Sequence, residues 1–395
     1  MKNNKKLIPE LRFPEFENEG EWEIKTLSGI CDITNGKANA QDHVDNGRYP
    51  LFDRSEVIKA SDEFIFDCEA VIIPGEGMRF IPKYYEGKFN LHQRAYALKD
   101  FSCSGQFVYY SMLHRSTLLS QKAVQSTVLS LRLPILQDFP IEIPKKPEEQ
   151  EKIASCLSSL DEVISAHSQK LELLKAHKKG LLQNLFPQEG EKVPKLRFKE
   201  FEKDGKWKKT ILGKISSAIF DGTHQTPKYT EEGIPFFSVE NIVSGKKNKF
   251  ISREDYLEAT SKNKPEKGDI LITRIGNIGF STVVDWDYEF SIYVTLAVIK
   301  QSDIFISHYL NGYFQSDYYQ KEIRRKSLLN AAPMKINMNE LQKTKVLLPP
   351  TKSEQQKIAF CLSSLDELIL AQTEKIEQLK QHKKGLMQGL FPKNY

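Results

Sequence analysis

Two α/β bodies, each followed by one long helix in a pseudo-two-fold internal repeat, form the architecture that the sequence predicts, and three observations lead to it. The stretch from Gln150 to Pro187 returns without a gap from Gln355 to Pro392, with about two-thirds of the paired positions identical, far beyond what shared composition gives. Within each copy the apolar residues step by four and three, the heptad spacing of a packed helix. The stretches ahead of each copy carry short β-rich runs separated by turn signals.

Ile153, Leu157, Leu160 and Ile164 open the first seam and Ile358, Leu362, Leu365 and Ile369 the second, with Lys178 and its counterpart Lys383 at later seam positions. A helix of about 36 residues at ~1.5 Å per residue is about 54 Å long, so each copy is expected to be a strut. Pro147-Glu148-Glu149 and Pro350-Thr351-Lys352-Ser353 supply the starts, and Phe186-Pro187 and Phe391-Pro392 the ends. Gly180 and Gly385 fall inside the pattern and should weaken each last turn by up to ~1 kcal/mol. Ala359, Phe360, Cys361, Leu368 and Leu370 lie off the seam, which makes the second helix apolar on more than one face. The eight seam residues, with Phe360 and Leu368, are therefore the candidate partner interface. Two helices that simply pair with each other are the alternative reading of the stripe.

The bodies repeat their openings. Leu11-Arg12-Phe13, Phe16, Trp22 and Leu27 pair with Leu196-Arg197-Phe198, Phe201, Trp207 and Leu212. The offset is 185 residues here and 205 between the helices, so the second body is longer by their difference, 20. The expected division is residues 1–147 for the first body, 148–187 for a central helical spacer, 188–350 for the second body and 351–395 for a C-terminal helical spacer. Runs such as EAVIIPGEG and GDILITRIGNIG read as buried strands punctuated by glycine turns.

A length of 395 residues calls for two or more domains. Five cysteines without paired short spacing indicate neither a disulfide framework nor a zinc site, and Cys156 and Cys361 read as small buried hydrophobes. No cofactor is expected. There is no apolar run of spanning length and no leader-like segment after MKNNKK, so a soluble cytoplasmic protein with no membrane partner is expected. The net charge of +5 is uneven: residues 188–350 hold 26 basic against 21 acidic side chains, and residues 1–147 hold 19 against 20. A surplus of this size permits nucleic-acid binding without demonstrating it.

No P-loop, GxGxxG or Asn/Asp-Pro-Pro-aromatic turn occurs, and no motif supports catalysis. What remains is loop chemistry rich in hydrogen-bonding groups. In the first body the candidates are Arg79, Lys83, Lys88, His92, Gln93 and Arg94. In the second they are Thr223, His224, Gln225, Lys228, Tyr229, Asn241, Lys246, Lys247, Arg274, Asn277, Arg324 and Arg325. Such side chains pair with base edges, and lysine runs suit phosphates; a solvated surface role is the competing reading for each. A scaffold whose bodies bind protein, and an enzyme with an unrecognised site, are the rival functions; steep salt dependence of binding separates DNA recognition from the first.

The proline-rich entry, Glu-Gln-x-Lys-Ile-Ala, Leu-x-x-Leu-Asp, the lysine-rich stretch and the closing Leu-Phe-Pro, each behind an Arg-Phe-x-x-Phe…Trp opening, resemble the specificity subunit of type I restriction-modification enzymes over essentially the whole chain. That resemblance implies two target-recognition domains, each reading half of a split double-stranded DNA site. It also implies that the helices form an antiparallel coiled coil that separates the halves and docks methyltransferase subunits, two of them, with restriction subunits joining through the complex. Catalysis then belongs to those partners. By the same resemblance Asp221 to Tyr229, Gly268 to Gly279, and Val71 to Gly77 with Lys88 to Tyr96 look like recognition-domain motifs.

Overall fold

The computed structural model describes residues 7–124 and 128–393; the first six residues, on which the expectation about a leader rests, lie outside that range. The chain forms two compact units, Met1–Ser168 with Glu374–Tyr395, and Gln169–Thr373. The division falls inside both long helices, so each unit holds one body, the start of the helix that follows it and the end of the other helix.

In the first unit β1 (Glu23–Thr26) is followed by β2 (Asp32–Asn35), β3 (Tyr49–Phe52), β4 (Lys59–Ser61), β5 (Phe66–Pro74), β6 (Lys83–Leu91) and β7 (Ala95–Lys99). Helices α1 (Gly105–His114), α2 (Ser116–Lys122) and α3 (Leu133–Gln137) precede β8 (Pro140–Ile143) and the long α4 (Pro147–Asn184). Six strands form one sheet in the order β2-β7-β5-β6-β3-β4, and β1 pairs separately with β8. Only β3 and β6 run parallel among these pairs. The run Ala70–Pro74 is buried throughout because both faces of β5 are covered. Side chains alternate across a strand: Val71 and Ile73 enter one apolar cluster, and Ala70 and Ile72 the other.

The second unit adds β9 (Lys208–Ile211), α5 (Leu212–Ile215), β10 (Ile219–Asp221), β11 (Tyr229–Thr230), β12 (Ile234–Phe237), α6 (Val239–Ser244), β13 (Phe250–Ile251) and α7 (Arg253–Ala259). Then come β14 (Ile270–Thr273), β15 (Ser281–Val283), β16 (Ser291–Ile292), β17 (Leu296–Ile299), α8 (Ser307–Gln315), α9 (Asp317–Arg325), α10 (Met338–Gln342), β18 (Lys345–Leu348) and α11 (Lys352–Leu390). Its sheets are β10-β17-β14-β15, β11-β13-β12-β16 and β18-β9. The same alternation recurs, with Ile270 and Ile272 on one side of β14 and Leu271 on the other.

The opening motif of each body closes onto the first turn of the helix that follows it. Arg12 donates Nε and Nη2 to the two carboxylate oxygens of Glu149 at 2.8 Å each, and Trp22 Nε1 donates to the same carboxylate at 3.2 Å. Arg197, Glu354 and Trp207 repeat the clasp at 2.8, 2.7 and 3.2 Å. The remaining arm of each arginine donates to the carbonyl of Gly20 or Gly205, glycines whose φ of 74° and 86° other residues rarely adopt. The next residue along each helix, Gln150 or Gln355, accepts from Ser104 N or Ile306 N at the entrance of α1 or α8.

Within each unit the two helix segments run antiparallel. In the first, Ile153, Ala154 and Leu157 share a core with Met387, Leu390 and Phe391, and Asp161 meets Lys383 Nζ. In the second, Leu185 and Phe186 lie with Ile358, Ala359 and Leu362, and Lys178 meets Asp366 at 2.6 Å. The closing phenylalanines plug the bodies: Phe391 stands 6.1 Å from the Trp22 ring and Phe186 6.4 Å from Trp207. Cys156 and Cys361, expected to be buried, are only partly so, and all five cysteines are free. Among the described residues no helix is long and apolar enough to cross a membrane.

Two predictions follow from the helices and the clasp. A Cβ at Gly180 or Gly385 would touch nothing within 4 Å, so Gly180→Ala and Gly385→Ala should each raise unfolding free energy by up to ~1 kcal/mol, read by denaturant titration. Glu149 and Glu354 are 1% and 0% exposed. Replacing either with alanine strands a buried guanidinium and should cost about 3 to 5 kcal/mol; Glu148→Ala, at an exposed neighbour, should leave the melting temperature unchanged.

Candidate nucleic-acid interface

One end of the main sheet carries the same turns in both bodies. Strand β2 runs into Gly36 and β10 into Gly222, where an added Cβ would lie 1.9 Å from Leu91 O and 2.1 Å from Ile292 O, so only glycine fits. Between β6 and β7 comes His92-Gln93-Arg94; between β16 and β17 comes Tyr293-Val294-Thr295. Their backbone bonds match one for one. His92 N donates to Phe52 O and Tyr293 N to Phe237 O, both at 2.8 Å; Gln93 N donates to Ala38 O and Val294 N to Thr223 O, at 2.9 and 3.0 Å. Gly75 N reaches Arg94 O and Arg274 N reaches Thr295 O, both at 2.9 Å. The frame is shared, and its side chains are not.

In the first body these turns line an open groove of about 720 Å³ with Asn39, Asp53, Arg54, Lys59, His92, Gln93 and Arg94. Burial alone would push the Asp53 carboxyl up, but hydrogen bonds from Lys59 and Ser55 outweigh it and hold the group at about 2. Partial burial pulls His92 below the ordinary imidazole value. Its Nδ1 accepts from Arg94 N at 3.1 Å, so the neutral ring carries its proton on Nε2 and can donate it. Gln93 Nε2 donates to Asn39 Oδ1 at 2.8 Å, and Arg94 Nη1 to Glu76 at 2.9 Å.

The structure therefore brings His92, Gln93 and Arg94 together and adds Asn39, Asp53, Arg54 and Lys59, which sequence reasoning missed; the signal was the Asp53-Arg54-Ser55 run ending a strand. Lys83 turns inward and donates to Ser55 O at 2.5 Å, with burial lowering its pKa. Lys88 lies over the Phe64 ring, and Arg79 is exposed.

In the second body Thr223, His224, Gln225 and Lys228 line a groove of about 2000 Å³ facing α7. His224 pairs with Asp221 at 3.1 Å, and Thr226 meets the Tyr293 hydroxyl at 3.3 Å. Tyr229 is half exposed at 49%. Asn277 and Arg324 line a separate groove with Gln320 and Phe280. Two expectations need correcting. Arg274 is only 7% exposed, held by Asp221, Val294 O and Ile336 O, so it braces the sheet end instead of facing outward. Asn241 is 2% exposed and spends its amide on Ser238, Lys246 O and Asn248 as a helix cap. Arg325 is held in a two-pronged pair by Glu189; Lys247 covers the Tyr288 ring, and Lys246 is exposed.

The candidate partner interface divides in the same way. Ile153 and Leu157, and Ile358 and Leu362, lie in the apolar cores of their own units because the struts close the bodies, and Leu365 is 6% exposed, so these five face the interior of the chain. Leu160, Ile164 and Ile369 are half buried. Phe360 and Leu368 are 66% and 56% exposed and remain available. Among the described residues no group of His, Cys, Asp or Glu could hold a metal ion.

Residues 19–176 and 205–381 match the family model described as the type I restriction modification DNA specificity domain. The type I restriction enzyme EcoDI specificity subunit of Escherichia coli is 28% identical over 38% of this chain, and the match spans only 34% of that protein. The MjaVIII specificity subunit of Methanocaldococcus jannaschii is 23% identical over 96% of this chain and 93% of its own. The crystal structure of the type I restriction-modification S subunit from M. genitalium shares the fold, with a TM-score of 0.69 at 17% identity, covering 98% of this chain and all of that one. With both copies of the repeat matched, the chain belongs to the specificity-subunit family of type I restriction-modification enzymes and carries two of that family's DNA specificity domains.

Proposed function

We propose that the chain reads a split, asymmetric site on double-stranded DNA, one half per body, and that it docks two methyltransferase subunits and, through them, restriction subunits, while catalysing nothing itself. The observation that carries the reading is the shared backbone frame bearing unrelated side chains. His92-Gln93-Arg94 and Tyr293-Val294-Thr295 hang from the same hydrogen bonds, which suits two modules built alike to read different words. Arginine, asparagine, glutamine and histidine on an open groove are the groups that meet base edges, whereas Lys228, Lys246 and Arg324 suit phosphates. The division into bodies at 1–147 and 188–350 and spacers at 148–187 and 351–395 belongs to this proposal, as does a cytoplasmic location, where DNA and the partner subunits are at hand.

Replacing residues 196–350 by the second body of another family member should change one half of the methylated motif and leave the other intact, as read by sequencing methylated bases in cells. A change in both halves would sink the modular reading. Methylation or cleavage by the purified chain alone would sink the assignment of catalysis to partners.

Docking is assigned to the apolar residues that the units leave outside: Phe360, Leu368, Leu370 at 59% exposure and Leu173 at 71%. Phe360→Lys and Leu368→Lys should weaken methyltransferase binding in a pull-down by at least tenfold, since a charge at a helix interface is costly to desolvate. Both variants should melt like the parent. Leu362→Lys, inside the core, should instead unfold its unit.

A further inference from the structure

Resting on the DNA-reading proposal, the geometry points to Arg94 as the residue that reads a guanine in the first half-site, with Glu76 as its positioning residue. Arg94 is fixed at its backbone on both sides: its carbonyl accepts from Gly75 N at 2.9 Å and its N–H donates to His92 Nδ1 at 3.1 Å. The side chain is 56% exposed, and Nη1 reaches the two oxygens of Glu76 at 3.2 and 2.9 Å. Among the described residues no bond engages Nε or Nη2, so an edge of the planar guanidinium stays open beside the groove. Two parallel donors match the O6 and N7 acceptors that guanine presents in the major groove.

Glu76 favours a base over a phosphate. Its carboxylate also takes Arg54 Nη1 at 3.5 Å, so it offsets only part of the pull of Arg94 on a distant phosphate, while the open fork of planar donors that matches a base edge stays intact. It also holds the long side chain in one arrangement, so less rotamer freedom is lost on binding. The second body makes the contrast. At the position of Arg94 it has Thr295, and the acid-bound arginine at this sheet end, Arg274, arises at the position of Gly75 and is 7% exposed. An arginine reader at this turn is therefore confined to the first half-site.

The test selects bound duplexes from a randomised DNA library with the purified full chain and sequences them. The parent should return two half-sites, with a G·C pair strongly required at one position of the half that survives replacement of residues 196–350. Arg94→Ala should flatten preference at that position alone, losing about 5- to 150-fold of discrimination, the range of a bidentate pair. Arg94→Lys keeps the charge and the fold but loses the fork, and should flatten the same position. Glu76→Gln should keep the guanine preference while weakening it and raising affinity for unrelated DNA. An unchanged motif in both Arg94 variants, or an equal loss on every sequence, would overturn the assignment while leaving DNA reading intact. If the parent itself selected no motif, the reading beneath it would fail instead.

Discussion

A buried carboxylate at the first turn of each long helix holds the architecture together. Glu149 and Glu354 sit at 1% and 0% exposure, each facing a two-pronged guanidinium and an indole N–H. A lone ion there would be too costly to dehydrate, and a single contact would not compensate. Three donors to two oxygens do, and the positive end of the helix dipole adds to them. The clasp joins residues 137 apart in the first unit and 157 apart in the second. Since the adjoining glutamine grips the entrance of α1 or α8, two consecutive side chains, Glu-Gln, index the helix against both ends of the body it follows.

That indexing explains how the fillings could diverge. What the two bodies share at the sheet end belongs to the backbone or to glycine: the close approach of Gly36 to Leu91 O, that of Gly222 to Ile292 O, and the turn bonds shared by His92 and Tyr293. The side-chain bonds at those turns differ between the bodies, His92 Nδ1 accepting from Arg94 N in one and Thr295 Oγ1 from Val239 N in the other. His92-Gln93-Arg94 can become Tyr293-Val294-Thr295 without disturbing a single one of the shared backbone bonds, so the recognition surface is free to change while its support is not.

The repeat, the helices and the family were legible in the sequence because each is a local signal: identity at a fixed offset, a four-and-three step, a proline at each helix end. The burial of the candidate side chains was not, because residue type reveals what can donate and not which way it points. Arg274 has the chemistry of a DNA contact, yet its acceptor Asp221 lies 53 residues away. Asn241 looked like an amide for a base edge, but Ser238, three residues before it, forms the local cap that captures it, a signal that the sequence did carry. The heptad stripe was likewise real, and much of it packs within the chain. Ile153 and Leu362 fill the cores of their own units, whereas Phe360 lies off the stripe and faces outward.

The polar seam positions show how the duplication itself fixes the direction of pairing. Each copy places an aspartate early, Asp161 or Asp366, and a lysine late, Lys178 or Lys383. In antiparallel helices the early residue of one copy meets the late residue of the other, and so it does: Asp161 with Lys383, Lys178 with Asp366. Parallel pairing in register would set Asp161 against Asp366 and Lys178 against Lys383, like charges at half-buried positions where screening is poor. Any helix that carries an acid near its start and a base near its end is complementary to an inverted copy of itself and repelled by a parallel one. Doubling one such helix within a chain therefore specifies an antiparallel pair, and with it the closure of each body by the end of the helix that follows the other.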